Sequence, residues 1–118
     1  MAALMIPKAA VVLYHTTSET AEHNRRLIED VLAELAVRDP GGVHYLAFRF
    51  DDGLGFMHVA VFDGTTDPFD RCAAHRAFHR GLGRRLAAPP TVMKAVLIGF
   101  YRPGCASAMS FTQVPPPY

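Results

Sequence analysis

The chain has 118 residues, half of them hydrophobic and 19% charged, with a formal net charge of +1. That length supports one domain with a hydrophobic core and excludes a multi-domain machine. Near-neutral charge leaves no basic footprint for nucleic acid, and no apolar run approaches the roughly 18 residues that span a bilayer.

The segment from Met1 to Lys8 has no basic residue ahead of its short apolar stretch, so it is a poor signal peptide. Cys72 and Cys105 are too few for a disulfide framework and lack metal-site spacing. The expectation is a cytoplasmic protein with one domain over residues 1–104 and an extended or flexible tail over 105–118. The tail carries Pro115-Pro116-Pro117, and its Ser110–Val114 stretch permits a small strand. Two oddities stand out: the chain is apolar for so small a monomer, and it has no tryptophan.

Lys8 to His15 is a short apolar run of β-branched and aromatic residues and predicts a strand. Thr16-Thr17-Ser18 offers helix caps, and Leu27, Ile28, Val31, Leu32 and Leu35 form a helical stripe that ends near Arg38. Asn24 falls near that buried stripe, where a partner must satisfy its amide. Asp39-Pro40-Gly41-Gly42 stops the helix. Val43–Asp51 and Leu54–Asp63 read as a hairpin around Asp52-Gly53, the pair preferred in a two-residue type I′ turn. That turn sets residue 49 against 56, 47 against 58 and 45 against 60.

One hairpin face then carries His44, Leu46, Phe48, Phe50, Met57, Val59 and Val61 and reads as core. The other mixes Tyr45, Ala47, Arg49, Phe56, His58, Ala60 and Phe62. After a turn at Gly64–Asp67, Pro68 suits a first helical position, and Phe69–Leu86 predicts a helix weakened by Gly81 and Gly83. Thr91–Arg102 predicts one long last strand.

Strand, helix, strand, strand, helix, strand is the ferredoxin-like βαββαβ order. It gives an α+β fold, a four-stranded antiparallel sheet with two helices on one face. The opposite face, expected to carry Tyr45, Phe56 and Phe62, would then be bare. Covering it with a second copy predicts a homodimer through the sheet face.

The stretches AEHNRRLIEDVLAEL (21–35), HYLAFRFDDGLGFMHV (44–59) and VLIGFY (96–101) resemble the dimeric α/β-barrel superfamily. The resemblance covers roughly residues 8–102 and is to small, uncharacterised bacterial proteins related to antibiotic-biosynthesis monooxygenases. It implies a dimeric α/β barrel and, among the superfamily's activities, cofactor-independent oxygenation or isomerisation of a small aromatic or polyketide-like molecule. A non-catalytic, ligand-binding or regulatory homodimer is the alternative. Haem-degrading members depend on an Asn, Trp and His set, which a chain without tryptophan does not supply.

His58 and Arg49 share the mixed face and are the catalytic candidates: a guanidinium holds an anionic oxygen and an imidazole moves a proton near neutral pH. Arg49 has a plainer use in pairing with Asp51, and His58 in bonding across the dimer. Tyr45, Phe56, Phe62 and Tyr14 are candidate ligand-binding rings, although Tyr14 and His15 point to opposite faces and only one meets the cavity. His75 and His79, at i, i+4 with Cys72 one turn earlier, could face one metal, but no third ligand is evident and a basic, solvated helix face is the plainer use. No metal and no cofactor is therefore expected, and His75 remains a ligand-binding candidate. Motifs for nucleotide, zinc and serine chemistry are missing.

Overall fold

The computed structural model describes residues 8–63, 67–101, 103 and 109–110. The readings made for Met1–Pro7, for Gly64–Thr66 and for most of the tail, Cys105 included, lie outside the described residues.

Strand β1 (Lys8–His15) leads into helix α1 (Ala21–Arg38), and the hairpin of β2 (Val43–Arg49) and β3 (Gly55–Phe62) follows. Then come α2 (Ala73–Arg80), a one-turn α3 (Leu82–Arg85) and β4 (Thr91–Val96). The strands form one antiparallel sheet in the order β2-β3-β1-β4, the ferredoxin-like arrangement. The last strand is shorter than expected, breaking at Leu97-Ile98. Beyond the break, β5 (Gly99–Phe100) pairs with β6 (Met109–Ser110) as a separate ribbon.

The hairpin register is the expected one, with Arg49 opposite Phe56, Ala47 opposite His58 and Tyr45 opposite Ala60. The turn is wider than a type I′ loop. The Phe50 N–H donates to the Gly55 carbonyl at 2.8 Å, and Gly53 is the one positive-φ residue in the loop, at 75°. The Asp52 carboxylate accepts from the N–H groups of Leu54 and Gly55, both at 2.9 Å, and this wraps the loop around one side chain. Widening the loop evenly on both sides leaves the register intact.

Helix α1 stops at Asp39, whose N–H makes a last helical bond to the Leu35 carbonyl and whose left-handed conformation (φ 46°) then turns the chain out of the helix. The second helical region is not continuous. Asp67 caps a preliminary turn through the Phe69 N–H at 2.9 Å. Helix α2 begins only at Ala73, where Cys72 offers no side-chain cap. Glu34 of α1 supplies it instead, accepting from the N–H groups of Ala73 and Ala74 at 3.1 and 2.9 Å. Gly81 interrupts the helix before α3.

Register and burial together place Val12, Tyr14, Val43, Tyr45, Ala47, Phe56, Ala60 and Phe62 with the core, against Ile28, Val31, Phe69 and Phe78 of the helical layer. This corrects the expected orientation. Tyr45, Phe56, Phe62 and His58 face the helices. The face carrying Leu46, Phe48, Met57 and Val59 is the one turned away, with Leu46 and Phe48 exposed. Both hairpin faces are apolar enough to form a core, so hydrophobic alternation alone does not choose between them.

Phe56 is 1% exposed and stacks on Tyr14 at 5.6 Å between ring centroids. Truncation to alanine opens a cavity beneath the sheet, and Phe56→Ala is expected to lose about 3–5 kcal/mol of stability in urea denaturation.

Candidate functional site

The helices do not close fully over the sheet. Between them lies a cavity of about 540 Å³. Its floor is Lys8, Ala10, Val12 and Tyr14 of β1, Tyr45 of β2, and His58, Ala60 and Phe62 of β3. Asp67 and Phe69 of the connecting loop, with His75, Phe78, His79 and Leu82, form the other wall. Strand alternation explains the floor: Tyr14 lies two residues beyond Val12, and His58 lies two residues before Ala60 and opposite Val12. Small residues at 10 and 60, which pair across β1 and β3, leave the space that larger side chains would fill.

A line of hydrogen bonds crosses the floor. The Tyr14 hydroxyl lies 2.6 Å from His58 Nε2, and the Tyr45 hydroxyl 2.5 Å from His58 Nδ1. Behind Tyr14, Asn24 Nδ2 donates to the phenol oxygen at 2.9 Å, and Arg85 Nε donates to Asn24 Oδ1 at 2.8 Å. Asn24 and Arg85 are both buried. Arg85 also donates through Nη2 to the Phe78 carbonyl at 2.7 Å and lies over the Phe78 ring.

Burial, reinforced by His79 and His75, lowers the His58 pKa from 6.5 to about 4, so its imidazole is neutral at physiological pH. Burial pushes the Tyr14 phenol up to about 12, against the pull of the Asn24 hydrogen bond and the Arg85 charge. Burial and the neighbouring Tyr14 raise Tyr45 further. Both phenols are therefore protonated. On the facing wall, His75 and His79 approach Nε2 to Nε2 at 3.2 Å, and burial followed by the neighbouring charge lowers the pKa of each. His75 also stacks on Phe69 at 4.3 Å. Among the described residues, no group of three His, Cys, Asp or Glu side chains is placed to hold a metal ion.

No protein-family model and no curated protein matches the chain. Solved structures match it in shape. A protein from Mycobacterium tuberculosis superposes with a TM-score of 0.62 at 14% identity, over 75% of this chain and 92% of its own. A Nitrosomonas europaea protein, provisionally named an antibiotic biosynthesis monooxygenase, gives 0.62 at 11% identity over 77% and 89%. A second protein from that organism, of unknown function, gives 0.61 at 17% identity over 84% and 96%. The chain has their fold. It is a fold shared with solved proteins provisionally named antibiotic biosynthesis monooxygenases; identities this low carry the architecture and not the reaction.

Within that fold, the cavity brings together His58, Tyr14, Tyr45, Phe62 and His75 of the expected site residues. Two others lie elsewhere. Arg49 is held at the hairpin end by Glu22 at 3.0 Å and by the Gly53 carbonyl at 2.9 Å, rather than by Asp51. Its long side chain stretches over Phe56 to reach the first turn of α1, so it latches the helix to the sheet. Phe56 sits beneath Tyr14 as core. His79 joins the site because it sits one helical turn from His75. Asn24 was legible as a buried amide without a known partner. Arg85 was not legible, being one of several arginines in a basic stretch.

A histidine whose folded pKa lies below its unfolded value binds fewer protons than the unfolded chain between the two. Stability conferred by neutral His58 is therefore complete above about pH 6.5 and is lost as pH falls toward about 4. His75 and His79 act with the same sign. Urea midpoints measured between pH 7 and pH 4 are expected to fall steadily with acidity, and more steeply for the native protein than for His58→Gln.

Proposed function

We propose that the cavity binds a small, flat aromatic or polyketide-like molecule and that the protein acts on it as a monooxygenase or isomerase without a bound cofactor. The observation that carries this reading is one apolar, ring-walled cavity with two separate polar stations. The Tyr45–His58–Tyr14 line lies on the sheet side and the His75–His79 pair on the helix side. A volume of this size suits a ligand of a few fused rings.

The two stations divide the work of enolisation. An imidazole of the His75–His79 pair, neutral near pH 7, takes a proton from an acidic C–H or phenol. The electron pair moves onto a ligand oxygen set against Tyr45, whose hydroxyl stabilises the developing oxyanion. For isomerisation, the proton returns at a different carbon. For oxygenation, dioxygen is the oxidant: the carbanion forms a C–O bond to it and gains a proton to give a hydroperoxide. That intermediate loses water, converting CH₂ to a carbonyl. Arg49 has no part in this scheme. A cytoplasmic setting belongs to the same reading, in which buried Cys72 stays a free thiol.

The check is oxygen uptake and product formation with an anthrone as probe. His75→Ala/His79→Ala is expected to lose at least about a hundredfold in kcat. Tyr45→Phe is expected to lose a comparable factor in kcat and to bind the anthrone about tenfold more weakly. Binding of the anthrone without turnover by the native protein would favour the alternative, a binding module. The locked position of His58 between two phenols is the observation on that side.

The second part of the proposal concerns the partner. The sheet face away from the helices carries Val11, Leu13, Leu46, Phe48, Met57, Val59 and Met93, with Leu46, Phe48 and Met93 exposed. A second copy of the same face is the occupant we infer, at roughly 25 cal/mol for each Å² of apolar surface removed from water. Sedimentation velocity is expected to give a dimer for the native chain and a monomer for Leu46→Glu/Val59→Glu. A native monomer at micromolar concentration would sink the dimer.

A further inference from the structure

The hydrogen bonds across the cavity floor admit one direction. Arg85 is a donor only, so its contact at 2.8 Å fixes the Asn24 amide with its oxygen toward the guanidinium. The Asn24 NH₂ group therefore faces Tyr14 and donates to the phenol oxygen. Tyr14, 4% exposed, then has one hydrogen to give, and among the described residues its remaining polar partner is His58 Nε2. Nε2 must accept, because a proton on it would leave the buried Tyr14 hydrogen without an acceptor, a loss comparable to a broken hydrogen bond. The ring hydrogen consequently sits on Nδ1 and is donated to the Tyr45 oxygen. Tyr45's own hydrogen has no protein acceptor among the described residues, and Tyr45 lines the cavity.

We propose that Arg85 and Asn24, neither of which lines the cavity, are positioning residues that set the direction of this chain, so that Tyr45 is a donor and the cavity selects aromatic ligands carrying an oxygen acceptor. The step rests on the reading of the cavity as a ligand site. The ligand class is a neutral ketone or quinone set on a fused-ring body, the oxygen against Tyr45 and the rings among Phe62, Phe69 and Phe78. An ammonium or amide NH₂ in the same place would put donor against donor.

Asn24→Asp tests the direction with a near-isosteric change. Its carboxylate accepts from Arg85 and from Tyr14 alike, so the chain reverses. Tyr14 gives its hydrogen to Asp, His58 donates from Nε2, and Tyr45 spends its hydrogen on Nδ1. Two-bond ¹⁵N–¹H correlation of the imidazole rings in the labelled full chain reads the tautomer directly. The native protein is expected to hold His58 as the Nδ1–H tautomer, Asn24→Asp as the Nε2–H tautomer, and Arg85→Lys, which keeps a donor to Asn24, as Nδ1–H.

Binding is read with 9-fluorenone, which offers a single acceptor oxygen, against fluorene, which offers none. Asn24→Asp is expected to bind fluorenone about tenfold more weakly and fluorene equally well. Tyr45→Phe is expected to abolish the preference for fluorenone, and with the native tautomer it decides the matter if Asn24→Asp fails to fold. An Nε2–H tautomer in the native protein, or Nδ1–H persisting in a folded Asn24→Asp, overturns the direction of the chain. Correct tautomers with neither probe bound overturn the selection of acceptor ligands through failure of the ligand-site reading, a result distinct from a wrong tautomer.

Discussion

Asn24 is fully buried on α1, and both ends of its amide need partners inside the protein. Leaving either unmet costs about 1–3 kcal/mol. The donor for its oxygen comes from Arg85, delivered by a chain segment that is stitched to the end of β1. Thr17 donates to the Arg85 carbonyl at 3.1 Å, the Thr20 hydroxyl to the same carbonyl at 3.0 Å, and Ala87 to the His15 carbonyl at 2.8 Å. The acceptor for its NH₂ is Tyr14 of β1. Because neighbouring residues of a strand point to opposite faces, turning Tyr14 toward α1 turns Leu13 away from it. The register then carries that choice to every other strand: Phe56 opposite Tyr14 and His58 opposite Val12 face the helices as well.

This explains which parts of the architecture could be read from the sequence. The strand and helix order, the hairpin register and the ends of α1 rest on local patterns such as the Asp52-Gly53 turn and the Asp39-Pro40-Gly41-Gly42 stop. Those patterns survive into the fold. The sheet face that meets the helices is tied to them by the Tyr14–Asn24–Arg85 contacts and by the core around Phe56 and Phe78, between residues far apart in the chain and with no local signature. His58 and Arg49 suggested a face exposed to a ligand or partner. In the structure, His58 has two phenols to satisfy it, and Arg49 lies at the strand end, where a long side chain escapes to Glu22. The break at Gly81 was visible as a weak helix; that it brings Arg85 inward was not.

Turning the sheet over also separates two roles that the sequence had placed on one surface. The cavity lies between sheet and helices, within one chain, and the exposed side chains of Leu46, Phe48 and Met93 lie on the opposite face. Side chains on the two faces alternate along the same strands, so a change at Val59 or Met57 meets the cavity only through the backbone it shares with His58. Small residues have different uses on the two sides. Ala10 and Ala60 hold space open above the floor, whereas Ala9, paired with Val61, is packed. A dimer formed through the outer face would bury surface without occupying the cavity.

The placement of charge sharpens what the cavity can recognise. Arg85 carries the formal charge of the hydrogen-bond chain, but it lies behind Asn24 and Tyr14 rather than in the cavity. Its field reaches the ligand side as oriented O–H and N–H dipoles. His58 is kept neutral by burial, and the same effect acts on His75 and His79. The remaining charged lining residues, Lys8 and Asp67, are of opposite sign. A ring-walled cavity whose charged lining side chains besides the histidines are of opposite sign gives a fully charged ligand little to repay the hydration it loses on entry. On the proposed reading it suits a neutral ring system, with an oxygen that would gain negative charge only as a proton left for the histidine pair. In that reaction the polarised floor would act on the charge that develops, which is the condition for a hydrogen bond to favour a transition state over the bound ligand.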